Sequence, residues 1–229
     1  MGRRDERREE RRSLLLDSAM EILAEGGIEA LTIPRLAKRM DASVGGLYRY
    51  FPSKEAIFIA LQERAIDAFD ALQEDAIIRT ERRAGEASTT VKSLASVIAA
   101  FCALLDLAKK TPTQHALVDA FLSAPNPTLS DAQAREVDAY LTPVLTRCAS
   151  QLEAARQSGA LSEGDAMVRT HVLWAALHGL SHFRKRDRIQ PQPLRTSALA
   201  PALLEGLLLG WGAKDAEVQA ALVLADVTH

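Results

Sequence analysis

"MDASVGGLYRYFPSKEAI", residues 40–57, sets two adjacent glycines, Gly45 and Gly46, inside a segment that otherwise reads as a short helix. Each glycine costs a helix interior roughly 1 kcal/mol against alanine. What glycine offers in return is the absence of a side chain, so something has to come close. Ser43 is a good N-cap for this helix, Leu47 and Phe51 lie four apart on one face, and Pro52 with Ser53 ends it. The spacing predicts a helix from Ser43 to Phe51.

Working upstream, "LTIPRLAKRMDASVGG" gives Thr32 as the N-cap of a preceding two-turn helix. Pro34 is tolerated in its first turn, Leu36, Ala37 and Met40 form its inner face, and Asp41 with Ala42 makes the turn. Before that, Leu16, Ala19, Met20 and Leu23 recur at three and four, which predicts an amphipathic helix from Arg12 to Glu25 stopped by Gly26 and Gly27. Ser53 caps a long fourth helix, from Lys54 to about Arg79. Three short helices with a tight turn between the second and third are a helix-turn-helix arrangement. From Thr32 to Lys54, Arg35, Lys38, Arg39, Arg49 and Lys54 face the single acid Asp41, a local charge of +4 in a chain whose formal net charge is only −2.

In such an arrangement the second helix of the pair enters the major groove. Two glycines in its first turn would let a phosphate or a groove wall approach the bare backbone, leaving the bases to Ser43, Val44 and Arg49. A competing reading is that the glycines only let two helices pack closely. Tyr48, Tyr50 and Lys54, all within ten residues and all suited to phosphate contact, favour the first.

The run Leu47-Tyr48-Arg49-Tyr50-Phe51-Pro52-Ser53-Lys54-Glu55, with the stretch before it, resembles the DNA-binding head of the TetR family of bacterial transcriptional regulators over about residues 12–60. The resemblance implies an all-α homodimer, a helix-turn-helix head on a palindromic double-stranded operator, and a helical body that dimerises and binds a small effector. By the same resemblance Thr32, Ser43, Tyr48, Tyr50 and Lys54 fall on phosphate-contacting positions, and Gly45, Gly46 and Arg49 on the groove-facing helix. Two positions depart from the pattern. Glycine usually stands where Asp41 is, and a polar or basic residue where Pro34 is, which leaves Arg35 as the second helix's candidate for base reading.

The remaining chain divides as a charged arm over 1–12, the head over 13–55, and a C-terminal body over 56–229. The arm nets only +2, so a disordered tail is its default and a minor-groove arm the alternative. ERRAGEASTT (81–90) reads as a linker. Body helices are predicted from Val91, over TPTQHALVDAFL, from Ser130 to about Ser158 with a kink at Pro143, over about Ala166–Arg184, and over Thr196–Trp211 with a tail behind it. The last two are apolar over more than half their circumference. That excess, with the likeness of the stretch Trp174–Leu180 to the family's C-terminal domains, marks Trp174, Leu177, His178, Leu203 and Leu207 as candidate dimer contacts. Phe101, Leu105, Leu117, Phe121, Val144 and Trp174, with Gln114 and Tyr140 as polar anchors, are candidate pocket residues for a hydrophobic effector.

Other functions find little support. His178 and His182 stand at i and i+4, but no acid or cysteine on that helix completes a metal set, so no metal and no cofactor is expected. Cys102 and Cys148 read as reduced buried thiols. GxSxG, GxxxxGK[ST] and HExxH are absent, which argues against a helical enzyme and leaves no catalytic residue. Neither a secretion signal nor an uncharged apolar run of about 18 residues appears, so a cytoplasmic protein without membrane contact, acting at the bacterial nucleoid, is expected. A DNA-binding protein that answers to no ligand remains the alternative from a neighbouring class.

Overall fold

The computed structural model describes residues 2–123 and 129–227, without the side chains of residues 121–123, 184 and 185, and among these residues there is no strand. Ten α-helices follow one another among the described residues: α1 (Arg3–Gly26), α2 (Ile33–Arg39), α3 (Val44–Leu47), α4 (Lys54–Arg83), α5 (Thr89–Lys110), α6 (Pro112–Ser123), α7 (Asp131–Gln157), α8 (Ala166–Ser181), α9 (Thr196–Gly210) and α10 (Asp215–Leu224). Short 3-10 turns at Ile28–Ala30, His182–Arg188 and Gln192–Leu194 join some of them.

Two compact units emerge. One comprises Met1–Asp67 and Thr111–Tyr140, the other Ala68–Lys110 and Leu141–His229. The proposed boundary at residue 55 does not coincide with this division, because α6 and the first turns of α7 cluster with the head. In the first unit α1 packs on α2, α2 on α3, and α1 on α6. Its buried stripe on α1 is Leu15, Leu16, Ala19, Ile22 and Leu23. Leu36, Leu47 and Phe51 complete the head's core. Arg64, on α4, donates to the Asp17 carboxylate at 2.6 Å and the Ser13 hydroxyl at 2.7 Å, fixing α1 against α4.

In the second unit α5 is central, touching α8 and α10. Its apolar stretch is long enough to cross a membrane by composition, yet 67% of that window is buried within the protein, so it serves as the core helix of this unit. Gln73 of α4 is fully buried and donates its amide to the Ala100 carbonyl at 3.3 Å and to Cys148 Sγ at 2.9 Å. Burial pushes the Cys148 thiol up to about 12, so it stays protonated. Arg169 is buried at the start of α8, donating to the Ser162 and Glu163 carbonyls while its guanidinium lies 5.2 Å from the centre of the Trp211 ring. One side chain thus ties α8 to the turn before it and to the end of α9.

Four expectations change. The first helix begins at Arg3, not Arg12, because no glycine or proline interrupts 3–12 and arginine and glutamate are good helix formers. The third ends at Leu47 rather than Phe51: Tyr50 and Phe51 both donate to the Leu47 carbonyl, closing the chain in a turn. The linker shrinks to the few residues between α4 and α5, with Gly85 at φ 43°. Finally, the tail is α10, which buries Val218, Ala221 and Leu222.

Candidate nucleic-acid interface

The turn that orients α3 is built from backbone hydrogen bonds. Ala42 N donates to the Ala37 carbonyl at 3.0 Å and Asp41 N to the Lys38 carbonyl at 3.3 Å, the paired bonds of a Schellman helix end. Such an end needs a left-handed residue, and Asp41 supplies it at φ 47°. An L-residue with a Cβ is disfavoured there, aspartate less than most. That geometry explains why a glycine suits this position.

Caps then set the two helices. Thr32 accepts from Arg35 N at 3.3 Å to start α2, and Ser43 accepts from Gly46 N at 3.1 Å to start α3. Leu47 and Phe51 are buried and anchor α3 from beneath. The opposite side carries Val44, Gly45, Tyr48 and Arg49, all exposed. A Cβ added at Gly45 would meet nothing within 4 Å, whereas one at Gly46 would come within 3.2 Å of the Ser43 hydroxyl that caps the helix. The two glycines therefore differ: Gly46 has an internal reason to be small, and Gly45 has only an external one. With four residues, α3 sums few peptide dipoles, so its contacts rest on side chains and close approach more than on a macrodipole.

Around this face the predicted residues gather in the same unit. Tyr50 is half-buried, and Lys54 stands with its ammonium 5.3 Å from the Phe58 ring centre at the start of α4. Arg49 has no ion-pair partner among the described residues. Arg35 does: its guanidinium donates to Glu25 at 2.7 Å, and Arg39 reaches both Glu25 oxygens at 2.7 Å. Arg39 foremost, with Arg35 adding, holds the Glu25 carboxyl below its ordinary value. Arg35 is thus tethered to α1 rather than free. Arg11 is a residue the sequence placed in a disordered arm. With Arg49, Tyr50 and Ser43 it lines a hollow of about 250 Å³ beside α3. Its place follows from helical phase, four residues before buried Leu15.

The candidate effector residues are divided between the units. Gln114, Leu117 and Tyr140 belong to the first, where the Tyr140 hydroxyl donates to Asp67 at 2.7 Å and Leu117 lines a hollow of about 290 Å³ with Leu23 and Ile28. Phe101, Leu105, Val144 and Trp174 belong to the second. Phe101 and Val144 are buried, and Leu105 lines a cavity of about 880 Å³. Trp174 Nε1 is buried without a hydrogen-bond partner. The side chain of Phe121 lies outside the described residues.

The candidate dimer contacts need correction. Leu177 is 0% exposed and Trp174 9%, so both are core of their own unit and neither can face a partner. His178, Leu203 and Leu207 are half-buried. The outward face of α8 is instead Val168, His171, Val172, Ala175 and Gly179, and that of α9 is Ser197, Ala202, Gly206 and Gly210. Apolar excess on both helices was legible, but their rotation was not, because a helix apolar nearly all round carries no phase.

Residues 15–61 match the family model for bacterial regulatory proteins of the tetR family. The HTH-type transcriptional repressor KstR of Mycolicibacterium smegmatis is 41% identical over 66 residues, which are 29% of this chain and 32% of that one. The chain therefore spans about a third of that relative. A Rhodococcus sp. RHA1 protein of unknown function has a similar structure, with TM-score 0.69 and 20% identity over 89% of this chain and 95% of its own. The transcriptional regulator FadR of Bacillus subtilis, solved with stearoyl-CoA, reaches TM-score 0.60 at 23% identity over 86% of this chain and 97% of its own. The likeness to these two structures is one of fold. The family model lies on the very residues that build this surface, and over residues 15–61 the chain is similar to bacterial regulatory proteins of the tetR family.

Proposed function

We propose that this protein is a transcriptional regulator, a repressor that binds a palindromic operator as a homodimer in the bacterial cytoplasm and leaves it when a small hydrophobic effector binds. The carrying observation is the solvent face of α3, where Gly45 has open space and Ser43, Val44, Tyr48 and Arg49 surround it. Ser43, Tyr48 and Arg49 offer donors to phosphates and base edges, with Thr32, Tyr50 and Lys54 beside them. The KstR match supports the repressor reading, and the FadR complex supports an effector with a long apolar part.

Dimerisation supplies affinity. One head makes too few contacts to hold a site alone, and a two-fold dimer presents two recognition helices about 34 Å apart, one turn of B-DNA. Val168, Val172 and Ala175 with Ala202, Gly206 and Gly210 form the apolar, small-residue surface through which a second copy would pack. An effector that binds a state unsuited to DNA better than the DNA-bound state lowers operator affinity, and operator then lowers effector affinity by the same factor.

Selection of bound duplexes from a random library by the purified full chain tests this. Enrichment of a two-fold symmetric sequence, bound in a salt-dependent manner, is the expected result. Recovery of no preferred sequence would overturn the regulator reading.

A further inference from the structure

Beside α5 in the second unit lies the cavity of about 880 Å³, a volume within the range of small-molecule sites, roughly 300–1,000 Å³. Its wall is apolar where Cys102, Leu105, Ala200 and Val227 meet. Burial pushes the Cys102 thiol up to about 12, so this wall is uncharged at neutral pH. A second hollow of about 280 Å³ shares Cys102 and Val227 with it and runs on toward the end of α4.

The charges around the cavity are unequal in a telling way. Its three carboxylates are all engaged by neighbours. Asp106 accepts from Lys110 at 2.6 Å, Asp226 pairs with Arg83 at 3.3 Å, and Asp187 accepts from the backbone and hydroxyl of Thr196 at 2.9 and 3.0 Å. Its two cations, Lys109 and Arg188, are exposed and have no partner among the described residues, and neither does the Ser197 hydroxyl. Asp187 keeps its negative charge, since Thr196 offers only neutral donors, but the groups left without a partner are two cations and one hydroxyl beside an apolar wall.

We propose that this cavity binds an amphiphile with one anionic head and an apolar chain, such as a medium-chain carboxylate, its head held by Lys109, Arg188 and Ser197 and its chain laid against Cys102, Leu105, Ala200 and Val227. Of the candidate effector residues only Leu105 belongs to it, so the site is distinct from the rest of that set. Binding here is independent of whether the head recognises DNA.

Calorimetric titration of the full chain, without DNA, with decanoate below its micelle concentration tests the proposal against decan-1-ol and decyltrimethylammonium. One saturable decanoate site per chain is expected, with the neutral and cationic chains at least about tenfold weaker, as loss of a charge-assisted contact implies. Joint replacement of Lys109→Gln and Arg188→Gln removes that preference, and Cys102→Trp fills the wall and weakens binding. Equal affinity for decan-1-ol, undiminished decanoate binding by the double variant, or no saturable binding would each overturn the assignment. Because Lys109 and Arg188 are exposed, the double variant keeps its fold and decides the matter even if Cys102→Trp does not fold.

Discussion

At Gly45 a methyl group would meet nothing of the protein itself, and that single fact separates the glycine's two readings. Gly45→Leu should leave the fold intact, even favouring α3 by about 0.5–1 kcal/mol, while lowering operator affinity at least tenfold through exclusion from the groove. Fluorescence anisotropy with the selected operator, alongside a melting curve, measures both, and unchanged affinity would show that no DNA approach requires Gly45 to be bare. Asp41 provides the complementary test. At φ 47° it carries left-handed strain and places a carboxylate beside the candidate DNA surface. Asp41→Gly should raise stability or leave it level, since relief of about 1 kcal/mol of strain offsets the entropy glycine adds to the unfolded chain. It should also tighten DNA binding, most at low salt. The turn was legible in the sequence at Asp41 and Ala42, and its left-handed residue only as a glycine expected and missing, since aspartate's tolerance of that conformation is weaker than glycine's. The caps Thr32 and Ser43 were legible in full, because a hydroxyl three residues before an orphan amide is a local device that tertiary packing does not overrule. The Arg35–Glu25 tether was not, since the pair stands ten residues apart and only the packing of α2 on α1 joins them.

Among the elements, α8 and α9 show where sequence reading stops. Their existence and ends were plain from apolar runs and polar breaks, yet which side faces outward depended on neighbours that α8 meets only after folding, α5 among them. Val172→Asp, on the exposed side, should yield folded monomers by sedimentation and lose tight binding to a palindrome. Leu177→Asp, fully buried, should instead unfold the unit, since an isolated charge in an apolar core costs several kcal/mol. If Val172→Asp remained dimeric, the interface would lie elsewhere. At the end of α7, Arg156 foremost and Gln157 next hold the Glu153 carboxyl down to about 2 from an ordinary 4.5. A depressed carboxylate contributes stability above pH 4.5 and loses it as pH falls toward 2. Glu153→Gln should therefore flatten the acid limb of a melting-temperature profile in that window. Exposure keeps the effect small, and identical acid limbs in the two proteins would show the pair contributes nothing.

Across the whole molecule, burial is shared unevenly, and α1 displays the extremes within a single helix. From Leu15 to Leu23 its inner face is among the most buried apolar surface in the protein, while Gly2–Arg11 are exposed throughout and Arg12, half-buried, ends that solvated stretch with a loose 3.9 Å pair to Glu9. The regular hydrogen bonding is continuous, but what opposes its opening is not. Amides before residue 12 should exchange with deuterium orders of magnitude faster than those of Leu16–Leu23, whose protection should track global unfolding. Equal protection along α1 would mean that the charged turns are held by contacts other than their own. Trypsin offers the same measurement by a coarser clock: five arginines lie on the labile turns and Arg12 closes them, so a brief digestion should trim this end and leave a resistant fragment beginning near Arg12 or Ser13. The helix is then one object to the eye and two to a protease, with the dividing line where side chains stop finding a core.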